Sequence, residues 1–324
     1  MHPDEYVVVG AHYDHFPPDG CTVLGDDSIC NGATDNAAGV AVVLEIGREI
    51  AALPAPPSRS VVLALWDGEE LGLLGSKYFV ANPLVPLANV VANVNFDIQG
   101  ANLAPHARDT SFAVGAESGG DVLTGVVADA IDAVGLGTVP LTVPFGQGRS
   151  DYHPFWGHSV PIVFFSDATN ACYHTTGDEL AIVDFGKLTE QAEIGLRVVS
   201  SLAEAPERPT FVPLAALDTY ADLVVLSSFL TAELADLDVL DPQAQSDLVY
   251  YENFARTRVA NGAAAYQGGD ALTVAQTAID IATGGLPCDP ALLPAPAPAA
   301  GGAVAALAIA ARAARTRRRD GRSR

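Results

Sequence analysis

The stretch YVVVGAHYD, residues 6–14, sets the fold expected of this 324-residue chain. Residues 6–11 form an uninterrupted apolar run, which is typical of a strand buried on both faces of a parallel sheet. The run leads directly into His12 and Asp14. Because sites in such sheets lie beyond the carboxyl ends of the strands, this polar pair predicts a functional site at one sheet edge.

Two more apolar runs end in acidic residues, as expected for neighbouring strands of one sheet. Residues 59–66 precede Asp67-Gly68-Glu69-Glu70, and residues 89–96 end at Asp97. Further strands are predicted at 111–115 and 160–165, and helices at 36–53, 71–81, 119–134 and 186–204. This alternation predicts an α/β fold with a mixed, largely parallel sheet sandwiched by helices.

The composition divides the chain into three parts. Residues 1–205 carry the alternating pattern and are expected to form the catalytic domain. Residues 206–290 show helical periodicity and predict a small helical appendage, either a lid or a dimer surface. Residues 291–324 are Pro/Ala-rich, then apolar, then Arg-rich. This tail is expected to be disordered, or else to associate with a membrane or cell surface.

The bulk composition restricts the partners. Hydrophobic residues make up 49% and charged residues 17% of the chain, which fits a well-packed core. The formal net charge of −22 would repel phosphate backbones, so no nucleic-acid partner is expected. Cys21, Cys30, Cys172 and Cys288 lack the spacing of a structural zinc site. A disulfide between Cys21 and Cys30 and a set of free thiols are both compatible with the sequence.

Histidines and carboxylates recur at the ends of the predicted strands and loops, and together they form the ligand set of a two-metal hydrolase. They are His12, Asp35, one of the adjacent pair Glu69-Glu70, Asp97 and His174. Taken alone, most have an ordinary structural alternative: Asp35 can serve as a helix N-cap, and Glu69-Glu70 can be a solvated acidic helix start. Asp97 ends a buried strand, where an unpaired charge is costly, so a ligand role is favoured there.

Three further residues complete the predicted chemistry. Asp14 is placed to accept a ring N–H of His12 and so fix the tautomer of a metal-binding imidazole. The other glutamate of the Glu69-Glu70 pair is placed to take a proton from a metal-activated water. Tyr173 is placed to hydrogen-bond an oxyanion as it develops.

The other histidines occupy no position that this chemistry needs. His2, His15, His106, His153 and His158 are expected not to be ligands. His153 is the strongest exception because it lies in Gly148-Arg149-Ser150-Asp151-Tyr152-His153.

In their order, these segments resemble the di-zinc aminopeptidase family, which includes secreted bacterial leucyl-type aminopeptidases and is related to glutamate carboxypeptidase and glutaminyl cyclase. The matching segments are GAHYDH (10–15), GATDNAAGVA (32–41), WDGEELGLLGS (66–76), NFDIQG (95–100), GRSDYHPF (148–155) and YHTTGDE (173–179). The resemblance implies a zinc aminopeptidase/phosphorylase-like fold for 1–205 and leaves 206–324 outside. It also implies an N-terminally truncated domain, because the family has at least one further strand before the first segment.

Carried over residue by residue, the resemblance implies two Zn²⁺ ions per chain. The ligands would be Asp35 as the bridge, His12 and Asp97 on one ion, and Glu70 and His174 on the other. Glu69 would be the general base, Asp14 would orient His12, and Tyr173 would polarise the scissile carbonyl.

These inferences predict a metal-dependent aminopeptidase that acts on peptide substrates and is secreted, periplasmic or attached to the cell surface. One alternative is a single-zinc glutaminyl cyclase on a related scaffold. The other is a non-catalytic, receptor-like domain of the same fold. The full two-metal ligand set weighs against the first alternative, and the intact base Glu69 weighs against the second. The oligomeric state is left open by the sequence.

Overall fold

The computed structural model describes residues 1–17, 20–214 and 219–293. Its centre is a six-stranded sheet with the order β2-β1-β3-β6-β4-β5. The strands are β1 (His2–His12), β2 (Arg59–Trp66), β3 (Val90–Phe96), β4 (Thr110–Val114), β5 (Gly137–Leu141) and β6 (Ile162–Ser166). The main helices are α1 (Ala38–Ala51), α2 (Leu74–Ala81), α3 (Gly120–Val134), α4 (Tyr152–Gly157), α5 (Phe185–Glu204), α6 (Tyr220–Glu233), α7 (Pro242–Ala260) and α8 (Asp270–Gly284).

The sheet is mixed and mostly parallel, as the sequence predicts. Strand β1 pairs in parallel with β2 and β3, and β3 pairs in parallel with β6. Strand β4 runs antiparallel to β6 and parallel to β5. The carboxyl ends of β1, β2, β3 and β6 therefore meet at one edge, where the loops that follow them can share a site.

Helices cover both faces of the sheet, because successive side chains of a buried strand point to opposite sides. Val7 and Val9 of β1 belong to a core with α1, α3 and α5. Val8 of the same strand belongs to a second core with α2 and α4. Leu223 of α6 and Leu248 of α7 are fully buried in this second core. The C-terminal helices thus pack on the same sheet face as α2 and α4.

Strand β5 and helix α4 are the two elements that the sequence did not predict. Strand β5 is short, lies at the sheet edge and contains Pro140, which weakens the strand signal. Helix α4 spans only Tyr152–Gly157, which is too short for a periodic pattern. The helical periodicity of 206–290 is met by α6, α7 and α8. The tail lies outside the described residues from 294 onward, so its predicted disorder and anchoring role stay predictions.

Two disulfides join loops of the molecule. Cys21 is bonded to Cys30, and Cys172 is bonded to Cys288. The second bridge links the loop after β6 to the segment after α8. Within the described part of the chain, no helix is both long and apolar enough to cross a membrane.

Candidate metal centre

His12 and Asp97 meet because β1 and β3 are neighbouring parallel strands that deliver their last residues to the same edge. Nε2 of His12 lies 3.2 Å from Oδ1 of Asp97 and 3.1 Å from Oδ1 of Asp35. All three side chains are buried. A histidine nitrogen and two carboxylate oxygens converge here within metal-binding distance of one another.

The second oxygen of Asp35 faces a different group. Its Oδ2 lies 3.2 Å from Nε2 of His174, and the same nitrogen lies 3.2 Å from Oε2 of Glu70. This nitrogen is buried but makes no well-directed hydrogen bond. Asp35 thus stands between two histidine–carboxylate groups and offers one oxygen to each.

The loop that carries Asp35 is held from two sides. Asp178 accepts hydrogen bonds from the backbone N–H groups of Thr34 (2.8 Å) and Asp35 (3.0 Å). Gly32 has a φ of 60°, and a Cβ there would collide with the carbonyl oxygen of Asp35 and with the His15 ring. A cis peptide bond joins Asp35 to Asn36. Asp178 was not singled out by the sequence, although it lies in the same YHTTGDE segment as His174.

Asp14 holds the turn that carries Glu69 and Glu70. Its carboxylate accepts hydrogen bonds from the backbone N–H of Glu69 (3.0 Å) and of Glu70 (3.2 Å). The ring Nδ1 of His12 donates to the backbone oxygen of Asp14 at 3.0 Å, and the Asp14 carboxylate is 3.6 Å from that nitrogen. The tautomer of His12 is therefore set mainly by a carbonyl, and the carboxylate serves the neighbouring turn.

His15 also lies in the cluster, where the sequence analysis did not place it. Its Nδ1 lies 2.8 Å from Oε1 of Glu70, and it forms a second potential metal-binding group with Asp35 and Glu70. Its Nε2 is buried without a hydrogen-bond partner. His153, the expected exception, instead contacts the rings of Tyr152 and Trp156. The missed signal is the position of His15 one residue after the H-x-D pair.

The electrostatics of the cluster favour bound positive charge. Burial alone would lower the pKa of His12, but the charge of Asp97 and hydrogen bonds to Asp14 and Asp35 raise it well above its usual range. Burial would likewise lower the pKa of His174, but its contacts with Asp35 and Glu70 raise it to about 9. Without a metal, these carboxylates hold protons on the imidazoles. The donor set therefore fits divalent cations of the zinc type, which would displace those protons.

Glu69 and Tyr173 border this cluster on its open side. Burial and the charge of Asp97 raise the pKa of Glu69 to about 9. Burial and the nearby carboxylates also raise the pKa of Tyr173, so its phenol stays a hydrogen-bond donor. The Tyr173 ring stacks on His174 with the centroids 3.7 Å apart.

An open cavity adjoins the cluster, with about 980 Å³ of empty space that includes its solvent mouth. Asp35, Glu69, Glu70 and Asp97 lie at one end. Phe112, Phe145, Phe164 and other apolar residues form the remaining walls. The cavity can receive a substrate that places a polar group at the carboxylates and an apolar group farther in.

The sequence matches a known protein family over more than half of its length. The profile of Peptidase family M28 matches residues 1–199. Leupeptin-inactivating enzyme 1 of Streptomyces exfoliatus is 29% identical over 182 residues, which cover 49% of this chain and 39% of that protein. This chain therefore spans less than half the length of that relative.

Solved structures share the fold. An aminopeptidase from Aneurinibacillus sp. strain AM-1 superposes with a TM-score of 0.52 at 24% identity, over 65% of this chain and 46% of that one. A glutaminyl cyclase from Porphyromonas gingivalis superposes with a TM-score of 0.50 at 20% identity, over 61% of this chain and 74% of that one.

Proposed function

The chain belongs to Peptidase family M28, a family of zinc metallopeptidases, and from this membership we propose that it is a two-zinc aminopeptidase. One observation carries the proposal: the two oxygens of Asp35 face two separate histidine–carboxylate groups. A single-zinc enzyme, such as the glutaminyl cyclase alternative, would need only one such group.

In this proposal, the ligands would divide between two zinc ions. His12 and Asp97 would hold one ion, Glu70 and His174 would hold the other, and Asp35 would bridge them. When bound, the ions would supply Lewis acidity and lower the pKa of a water molecule. His15 would keep one Glu70 oxygen engaged, which leaves the other oxygen directed at His174.

The protein's own groups would move the protons. Glu69 would accept a proton from the attacking water and return it to the leaving amine. Burial and the charge of Asp97 raise the pKa of Glu69 in the metal-free cluster, and two bound cations would lower it again, so that the carboxylate could both accept and return a proton. Tyr173 would donate a hydrogen bond to the oxygen of the scissile carbonyl as negative charge builds on it.

We also propose that the protein works in an oxidising compartment, as a secreted, periplasmic or cell-surface enzyme with peptide substrates. The two disulfides support this, because such bonds persist mainly outside the reducing cytosol.

Hydrolysis of an aminoacyl-nitroanilide panel tests the activity. The purified chain should cleave the panel, lose activity on chelation, and regain it when zinc is added back. A chain that binds zinc but cleaves only N-blocked or C-terminally directed substrates would overturn the aminopeptidase assignment. Cyclisation of N-terminal glutamine without peptide cleavage would favour the glutaminyl cyclase.

A further inference from the structure

The C-terminal helices form a wall of the cavity that begins at the metal centre. The contributing residues are Leu226 and Phe229 of α6 and Ala275, Ala278, Ile279 and Ala282 of α8. All of them lie beyond residue 199, where the match to the family profile ends. This wall therefore lies outside the part of the chain that the family profile matches.

The opposite wall comes from the sheet and its loops. Phe112 and Val114 of β4, Phe164 of β6 and Phe145 line it. Phe229 of α6 meets the Phe112 ring edge to face, with the centroids 6.0 Å apart. Among the described residues that line the cavity, the charged ones are the four carboxylates of the metal centre and Arg149. The far part of the cavity is thus apolar on both sides and suits an aliphatic or aromatic group.

The helical wall is fixed at two points to the loop that follows β6 and carries Tyr173 and His174. Cys288, just after α8, is bonded to Cys172, which immediately precedes Tyr173. Near the end of α8, Thr283 shares a hydrogen bond of 2.6 Å with Thr169 in the loop after β6. A wall tied to the loop that carries Tyr173 and His174 keeps a constant distance from the reacting groups.

Helix α6 is fixed to the sheet at its N-terminal end. Asp222, in its first turn, accepts hydrogen bonds from the backbone N–H (2.9 Å) and the hydroxyl (2.8 Å) of Thr142 at the end of β5. These hydrogen bonds hold the side chains of α6 at a fixed distance from the sheet. The cavity has a defined depth as a result.

We propose that α6 and α8 are the specificity-determining wall of this enzyme, and that they select peptides with a large aliphatic or aromatic N-terminal residue. This inference rests on the proposed aminopeptidase function. The side chain of the first residue would lie between the sheet and the two helices, while its carbonyl would face Glu69 and Tyr173. A small side chain would leave apolar walls in contact with water, so it would gain less from binding.

The experiment narrows the cavity and compares substrates of different size. Ala278→Leu adds volume at the wall, and Ala232→Leu makes the same change at an exposed position of α6. The wild type should prefer phenylalanyl- over alanyl-nitroanilide by at least about 10-fold in kcat/KM. Ala278→Leu should reduce kcat/KM for the phenylalanyl substrate by about 10-fold and leave the alanyl substrate within about 2-fold, whereas Ala232→Leu should match the wild type.

A second variant covers the case in which Ala278→Leu does not fold. Ile279→Ala removes a wall contact without adding volume, and it should lower kcat/KM for the phenylalanyl but not for the alanyl substrate. A wild type that prefers alanine would overturn the inference while the proposed function stands. Equal effects of the wall variants on both substrates would do the same.

Failure of the proposed function has a different signature. If the zinc-loaded wild type cleaves no member of the panel, that function is wrong, and the wall is then tested by binding alone. Phenylalanine hydroxamate and alanine hydroxamate share a zinc-binding group and differ only in their side chain. The difference between their affinities, measured by calorimetry, therefore reports how well the cavity binds that side chain. The proposal is supported if the wild type binds the phenylalanine compound more tightly and Ala278→Leu removes this difference. Equal binding of both compounds by the wild type overturns it.

Discussion

Replacing Asp14 by Asn should weaken one metal site much more than the other. The Asp14 carboxylate accepts the backbone N–H groups of both Glu69 and Glu70, at 3.0 and 3.2 Å. The asparagine side chain keeps one acceptor oxygen and turns an NH₂ group toward the other N–H. One partly buried N–H donor is then left unpaired and faces another N–H donor.

The cost follows from that loss. Leaving one donor unpaired costs about 2 kcal/mol, which corresponds to roughly 30-fold in an equilibrium constant. Because the turn carries Glu70, we expect this loss in zinc affinity at the Glu70–His174 site. The His12–Asp97 site should change little, because the ring of His12 donates to the backbone oxygen of Asp14, which the substitution retains.

Zinc titration in competition with a chelator of known affinity measures both sites. The wild type and Asp129→Asn, an exposed carboxylate on α3, should show two tight sites. Asp14→Asn should retain one tight site and show a second that is about 10–100-fold weaker. Unchanged affinity at both sites, or a loss confined to the His12 site, would show that Asp14 does not act through the Glu69–Glu70 turn.

Three further predictions concern Glu69, His15 and Glu117. Glu69→Gln should keep its zinc and lower kcat by about 10²–10⁴-fold, because the general base is lost. The kcat of the wild type should fall at low pH, and this fall should be absent from the pH profile of the variant. A variant with near-normal kcat would mean that another group takes the proton. His15→Ala should weaken the zinc affinity of the Glu70–His174 site by about 10–100-fold, because Oε1 of Glu70 loses its hydrogen-bond partner. His153→Ala is the control and should leave that affinity unchanged. Equal zinc affinities of the two variants would contradict the role of His15 in positioning Glu70. Burial raises the pKa of Glu117 to about 7 from 4.5, so its contribution to stability is present at acidic pH and is lost as the pH rises through 7. In urea unfolding between pH 5 and 8, Glu117→Gln should lose less stability than the wild type, because glutamine still accepts the Val143 N–H but cannot ionise; identical losses in both proteins would contradict it.

The fold was predictable where burial leaves a continuous apolar run. Strand β1 is buried along residues 6–12 except for a half-buried Tyr6, and β3 is buried along its whole length, so both runs are visible in the sequence. Strand β5 gave no such signal, because Pro140 interrupts it and one side faces solvent. The predicted ligand positions depend on the same logic, because His12 and Asp97 end two adjacent parallel strands.

Contacts between loops were not predictable, because they depend on how distant segments fold back. His15 reaches Glu70 only through the conformation of the loop after β1. Cys172 and Cys288 are separated by 116 residues, and no spacing rule pairs them. Periodicity indicated that α6 and α8 are helices, but it could not show that Phe229 and Ile279 would line a cavity next to Glu69.

Counting zinc ions by native mass spectrometry, after zinc loading and desalting, tests the two-metal proposal most directly. The wild type should carry two ions per chain, and Asp35→Ala should lose affinity for both, since its two oxygens face both ligand groups. A wild type that saturates with one ion, or an Asp35→Ala variant that still binds two, would contradict the bridging role of Asp35 and with it the proposed mechanism.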